Sequence, residues 1–245
     1  MRSRLIAGGV LEIHKPKPWH GSREFLKEIG TIVIGVLIAI VAEQTVEAMR
    51  HREIVARGED ALRDNFGRFV EYAAAIDQED ACMAARAAEL RTILDRASQT
   101  RRLPAIVAIP QPYPLPWQID TWEAMVASGA APYLPQAKTV LYSRIAMSAV
   151  DLYNAATNEW GEWGALRGLS GPGRAFSETE EARARETLAR AVDQADRVQF
   201  IAAHTVGRIR GAGLLDQRSL DHAVWSGRHP SRPVAMCQAI EWDRR

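Results

Sequence analysis

Hydrophobic residues follow two different patterns along this chain, and the change from one to the other divides it. Residues 29–42, IGTIVIGVLIAIVA, form an uncharged run in which Thr31 is the one polar side chain. From residue 62 the apolar positions become periodic. Leu62, Phe66, Phe69, Ala73 and Ile76 are spaced alternately by four and three, and Met83, Ala87, Leu90 and Leu94 continue that register with Asp80 as its break. Val70 and Ala84 broaden the stripe. This spacing predicts one face of a long amphipathic helix, continuous with the apolar run in the simplest account. Gly58 and Gly67 mark soft points along it. A coiled-coil pairing and packing within one bundle both fit the stripe, and its alanines suit the bundle.

Prolines at 104, 110, 112, 114 and 116 break the pattern over residues 101–119. Such a segment is excluded from helix and from central strand, so an extended crossover is predicted; a proline-rich ligand for a signalling module is the alternative. Asp120 and Glu123 have capping-box spacing for a short helix ending at Ser128-Gly129, and Pro135 suits the first position of the next helix. Val140 or Leu141, Ile145, Ala149, Leu152, Tyr153 and Ala156 make a second stripe. Trp160-Gly161-Glu162-Trp163-Gly164 closes it, with a Gly-rich loop over 164–174. Ser177 with Glu180 is a capping box opening a third long helix, whose face is Leu188, Val192, Ala195, Val198 or Gln199, and Ala202. Gly211 and Gly213 end it, and Leu220, Val224 and Trp225 predict one further short helix. Strand-like alternation is missing. The expected fold is all-α: one N-terminal transmembrane helix followed by a helical bundle of long antiparallel helices.

The apolar run itself needs a physical test. Fourteen residues rise roughly 21 Å as a helix, short of a hydrocarbon core of about 30 Å. Phe25 and Leu26 extend it backward, Thr45, Val46, Ala48 and Met49 extend it forward past Glu43 and Gln44, and Lys27 can snorkel to the headgroups. Its Ile, Val and Leu residues favour insertion by roughly 3 to 5 kcal/mol, and a carboxylate near the interface costs less than the ~3 kcal/mol of mid-bilayer. A membrane anchor over residues 22–49 is therefore expected. A cleaved signal peptide fits less well, since its basic region would be shorter and Ala39-Ile40-Val41-Ala42 and Val46-Glu47-Ala48 are poor to fair cleavage sites. A core helix of a soluble domain is the other alternative.

Orientation follows from Lys and Arg. Arg2, Arg4, Lys15, Lys17, Arg23 and Lys27 precede the run, against Arg50, Arg52 and Arg57 in the twenty residues after it. The positive-inside rule places residues 1–21, a basic Pro-containing segment, in the cytoplasm and residues 50–245 in the periplasm. Thr31, Gly35 and Ala39 recur every four residues, a small-xxx-small stripe through which two anchor helices would pack as a homodimer; small residues are also simply common in membrane helices. Pro16 and Pro18 keep the N-terminal segment extended, as a recognition peptide or as a basic, aromatic headgroup anchor.

The run HKPKPWHGSREFLKEIGTIVIGVLIAIVAEQTVE resembles the N-terminus of a bacterial single-pass membrane-protein family of unassigned function, in which HKPKPxHxWREFLKE is followed by an IGxIVxGVLIAL-type anchor and EQ. The match covers residues 12–47, and Ser22 stands where that family has Trp. Residues 1–9, which precede the motif, read as an upstream start. A weaker similarity links Thr121-Trp122-Glu123 and Ser128-Gly129 to a W…SG segment of small anchored proteins. The resemblance implies a bacterial inner-membrane protein with an external helical domain, and no activity.

Composition narrows the chemistry. With 31 Lys and Arg against 30 Asp and Glu, the chain offers no basic field for nucleic acid. Two cysteines, Cys82 and Cys237, both follow the anchor, so a periplasmic domain makes a disulfide plausible, two buried thiols being the alternative. The six histidines form no HExxH and no zinc spacing; His222 and His229 lack further ligands nearby. Residues 168–173 are glycine-rich like a phosphate loop but lack the preceding strand and the following Lys. Glu180 and Glu181 suit a helix first turn without catalysis. Trp122, Trp160 and Trp163 are candidates for an aromatic patch facing a partner, lipid or glycan, or for core packing that seats the neighbouring loop.

The expected role is therefore non-catalytic: a periplasmic helical domain working by contact with an envelope partner, with the lipid bilayer as its other contact and no cofactor or metal. A ligand-binding sensor and an anchored hydrolase are the alternatives, the first needing a large apolar cavity and the second a cleft of perturbed His and acidic groups.

Overall fold

The computed structural model describes residues 21–112, 120–229 and 235–243. Most of the N-terminal segment, together with Pro114 and Pro116 of the crossover, lies outside them. The elements run α1 (Gly21–Thr100), β1 (Arg102–Leu103), β2 (Ile106–Ala108), α2 (Thr121–Ala127), α3 (Gln136–Leu166), β3 (Arg174–Ala175), α4 (Glu178–Gly211), α5 (Gln217–Arg228) and β4 (Glu241–Trp242), with short 3-10 turns at Ala131–Tyr133, Arg167–Leu169 and Ala235–Cys237. The fold is all-α. The chain divides into two compact units, Met1–Arg50 and His51–Arg245.

In the second unit the predicted stripes become the core. Leu62, Phe66, Phe69, Ala73, Met83, Ala87, Leu90 and Leu94 of α1 are buried, as are Ile145, Ala149 and Leu152 of α3 and Leu188, Val198 and Ala202 of α4. Direction is fixed by polar contacts at the rim of the core. Glu59 near the start of this part of α1 meets Lys138 and Tyr142 near the start of α3, at 2.6 and 3.0 Å. Arg185 of α4 meets Asp95 of α1 at 2.8 Å while Gln199 meets Asp77 at 3.3 Å. Thus α4 runs antiparallel to α1 and α3, whereas α1 and α3 run in the same direction, because the segment between them carries the chain back before α3 begins.

Several local expectations are corrected. Helix α1 passes through Gly58 and Gly67 without interruption, and Gly58 lies beneath Met125, whose side chain a Cβ there would meet at 3.0 Å. Ala84 is exposed. The crossover contains strand after all: β1 pairs with β3 and β2 with β4, both antiparallel. Such short ladders leave Pro104, Pro110 and Pro112 outside the paired positions, which is why they are tolerated. Asp120 precedes α2 but makes no side-chain cap, since its own backbone is helical (φ −87°, ψ −6°) rather than extended. Helix α3 continues past Trp160 and Trp163 to Leu166, so the glycine-rich loop starts later than residue 164.

The Ser177–Glu180 capping box forms as the spacing predicts, with reciprocal bonds between Ser177 Oγ and the Glu180 N–H and between the Ser177 N–H and the Glu180 carboxylate. The Ser177 N–H foremost, and Arg174 beside it, hold the Glu180 carboxyl down at about 2. Gly213, at φ +62°, ends the turn that follows α4.

Helix α5 lies so close to α1 that a Cβ at Gly227 would overlap the Glu71 backbone and come within 2.9 Å of the Ala74 Cβ. Gly227→Ala should destabilise the domain by about 1–3 kcal/mol through overpacking. Gly207→Ala, in α4 with open space around it, should be neutral or stabilising by up to about 1 kcal/mol. Thermal unfolding followed by circular dichroism checks both.

Candidate functional site

The described part of the first unit, residues 21–50, is helix with an uncovered apolar run. From Ile29 to Ala42 every residue is exposed except Gly30, which is half-buried, and Ile38 is 64% exposed. By length and composition this part of α1 qualifies as a membrane span, and none of the qualifying window is buried. Its hydroxyls are satisfied within the helix: Thr31 Oγ1 donates to the Lys27 carbonyl at 2.9 Å and Thr45 Oγ1 to the Val41 carbonyl at 2.7 Å. In hydrocarbon such internal bonding is what a hydroxyl requires. Thr31, Gly35 and Ala39 are all exposed, and a Cβ at Gly35 would meet nothing within 4 Å.

The second unit has a covalent clamp. Cys82 of α1 and Cys237 are disulfide-linked, with Cα atoms 4.7 Å apart and 155 positions between them in sequence. The link draws the C-terminal tail onto α1, where Arg86 donates to the Gln238 carbonyl at 2.6 Å and Glu89 accepts from the Ile240 N–H at 3.0 Å. Met236 and Ile240 are thereby buried in the core cluster around Leu90, Leu94 and Trp163, and Arg96 lies 5.8 Å from the centroid of the Trp242 ring.

The three tryptophans do not form one patch. Trp122 sits half-buried against a first core cluster, 6.2 Å from the Tyr142 ring. Trp163 is 1% exposed in the second cluster, and Trp160 is 42% exposed on the outside of α3. On a continuous helix residues 160 and 163 differ by about 60°, so Trp163 lies within the buried face while Trp160 falls at its edge and reaches solvent. The Trp160 backbone does seat the preceding segment, its carbonyl accepting from Gln111 Nε2 at 2.7 Å.

The electrostatically distinctive place lies between the two clusters, and sequence reading passed over it. Glu159 of α3 is 5% exposed. Burial foremost, and the nearby charges of Glu79 and Asp80 on α1, push its carboxyl up to about 8. Burial likewise pushes Glu79 up to about 7. Asp80, which breaks the α1 stripe in sequence, is exposed, and its neighbour Glu79 turns inward instead. A signal for Glu159 did exist: Ile145, Ala149, Leu152, Ala156, Glu159 and Trp163 are spaced alternately by four and three, so the acid occupies a core position.

The cleft between Trp122, Tyr142, Phe66 and Asn65 holds about 10 Å³, room for roughly one water, whereas small-molecule pockets span about 300–1,000 Å³. Among the described residues no three His, Cys, Asp or Glu side chains gather in a metal-binding arrangement. His51, His204 and His229 stack instead on Tyr133, Phe200 and Trp225. Searches against protein-family models, curated proteins and solved structures find no match to this chain.

Closing a loop of 155 positions should stabilise the domain by about 5 kcal/mol, less any strain. Cys82→Ser and Cys237→Ser are each expected to lower the unfolding midpoint by a similar amount, and their double variant no further. Native protein should migrate differently on reducing and non-reducing gels; identical mobility with both thiols alkylated without reductant contradicts the bond.

Proposed function

We propose that this chain is a single-pass protein of the bacterial inner membrane, its N-terminus cytoplasmic, whose His51–Arg245 unit works in the periplasm by contact with an envelope partner. The observation that carries the reading is a contrast in burial. Apolar stripes of the second unit are buried against one another, while the apolar residues at 29–42 are exposed on all sides. Leaving that many Ile, Val and Leu side chains in water costs roughly 1.5–3 kcal/mol each, so another apolar medium must cover them, and a bilayer does so once Phe25, Leu26 and residues 45–49 extend the run.

Three further points support it. The excess of Lys and Arg before the run orients the N-terminus inward. A disulfide between Cys82 and Cys237 persists in an oxidising compartment such as the periplasm. The resemblance of residues 12–47 to an anchored bacterial family points the same way. Packing of two anchors through Thr31, Gly35 and Ala39 is part of the proposal, since three exposed small side chains on one face allow two backbones to approach. The role is taken as non-catalytic, with a ligand-binding sensor as the alternative.

Topology reporters fused at Lys17 and after Arg245 test the reading. Activity outside only from the C-terminal fusion, in a carbonate-resistant membrane fraction, is the expected result. A soluble product with a cytoplasmic C-terminus refutes it.

A further inference from the structure

The apolar core of the second unit is interrupted along its length. One cluster runs from Leu62 to Ala73 on α1 with Ile145 to Ala155 on α3; the other begins at Met83 on α1 and Trp163 on α3. Between them α1 brings Glu79 and Asp80 toward Glu159 of α3. No cation among the described residues pairs with any of the three. On α3 itself Glu162 is taken by Arg190 of α4 at 2.9 Å, and Arg228 at the end of α5 is taken by Asp77 at 3.2 Å. From α4 the same level carries Gln194, whose Oε1 is buried without a donor, and Asp193 and Arg197, both exposed. One turn on from Glu159, the Trp163 Nε1–H is also buried without an acceptor. The layer is thus acidic, uncompensated and incompletely hydrogen-bonded.

We propose that this layer is a proton-responsive joint, at which α1 and α3 stay closed while the carboxyls carry their protons and part when they ionise. The physical reason is that a buried carboxylate without a cation loses its hydration and gains nothing in return, whereas the carboxylic acid can be buried and can donate a hydrogen bond. Two neighbouring carboxylates add repulsion. The sign follows directly. In the open state Glu159 returns to an ordinary value near 4.5, while in the closed state it lies at about 8 and Glu79 at about 7. The closed form therefore binds more protons. Closure is complete at acidic pH and weakens as pH rises from 4.5 through about 8.

Hydrogen exchange on the full chain in detergent micelles, at about pH 6 and about pH 8.5 and corrected for intrinsic amide rates, tests this. Peptides of α1 around Glu79 and of α3 around Glu159 should lose protection by up to about tenfold per pH unit for each proton released on opening. Glu159→Gln should abolish most of that response, Glu79→Gln a smaller part, and Glu162→Gln none of it. Protection in the native chain that does not change with pH overturns the proposal, and that reading needs no variant to fold. A full pH response surviving in both Glu159→Gln and Glu79→Gln overturns it as well.

Discussion

The buried face of α1 from Leu62 to Ala97 is the surface on which the rest of the second unit is assembled. Helix α2 meets α1 through Met125 over Gly58 and Thr121 at Asn65, α3 through Tyr142 at Phe66, α4 through the exposed rim pair Arg185 and Asp95, and α5 through Gly227 at Glu71 and Ala74. Helices α2 and α5, at 7 and 12 residues, are too short to be stable alone in water. In the bundle each of these helices has a face removed from water, α3 and α4 against each other as well as against α1. Side chains replaced on that face are felt by several neighbours at once, while its exposed side, dense in Arg, Asp and Glu, tolerates change.

That dependence makes the acidic level in the middle of the bundle informative. A continuous apolar seam would be the more stable arrangement, because a buried carboxyl contributes less than a hydrocarbon side chain of the same volume. The chain instead places Glu159 between Leu152 and Trp163 at a core position, and turns Glu79 rather than Asp80 toward it. Stability is concentrated in the two apolar clusters on either side, and the level between them is where the helices are least strongly held. The disulfide lies on the far side of that level, closing the second cluster by holding Met236 and Ile240 over it.

Helix formation and helix contact thus use different information in this protein. The first unit shows the extreme case: α1 is helical through residues 29–42 although no described side chain there is buried. β-branched residues are poor helix formers in water, but in hydrocarbon every backbone group must be satisfied internally and helix is the way a single segment can do it.

The sequence by itself determined what depends on neighbours three or four residues away. The stripes at Leu62 to Leu94, Ile145 to Leu152 and Leu188 to Ala202, the capping box at Ser177 and Glu180, the helix stop at Gly213 and the length of the uncharged run all express a single 3.6-residue period or one local hydrogen bond. The tertiary structure decided what depends on rotation and direction. It set α1 and α3 parallel, separated Trp122 from Trp163 into different clusters, left Trp160 exposed, brought strands of two and three residues out of a proline-rich crossover, and chose Glu79 over Asp80 as the inward acid. Adjacent positions on a helix differ by about 100°, and only the packed partner fixes which of them faces inward.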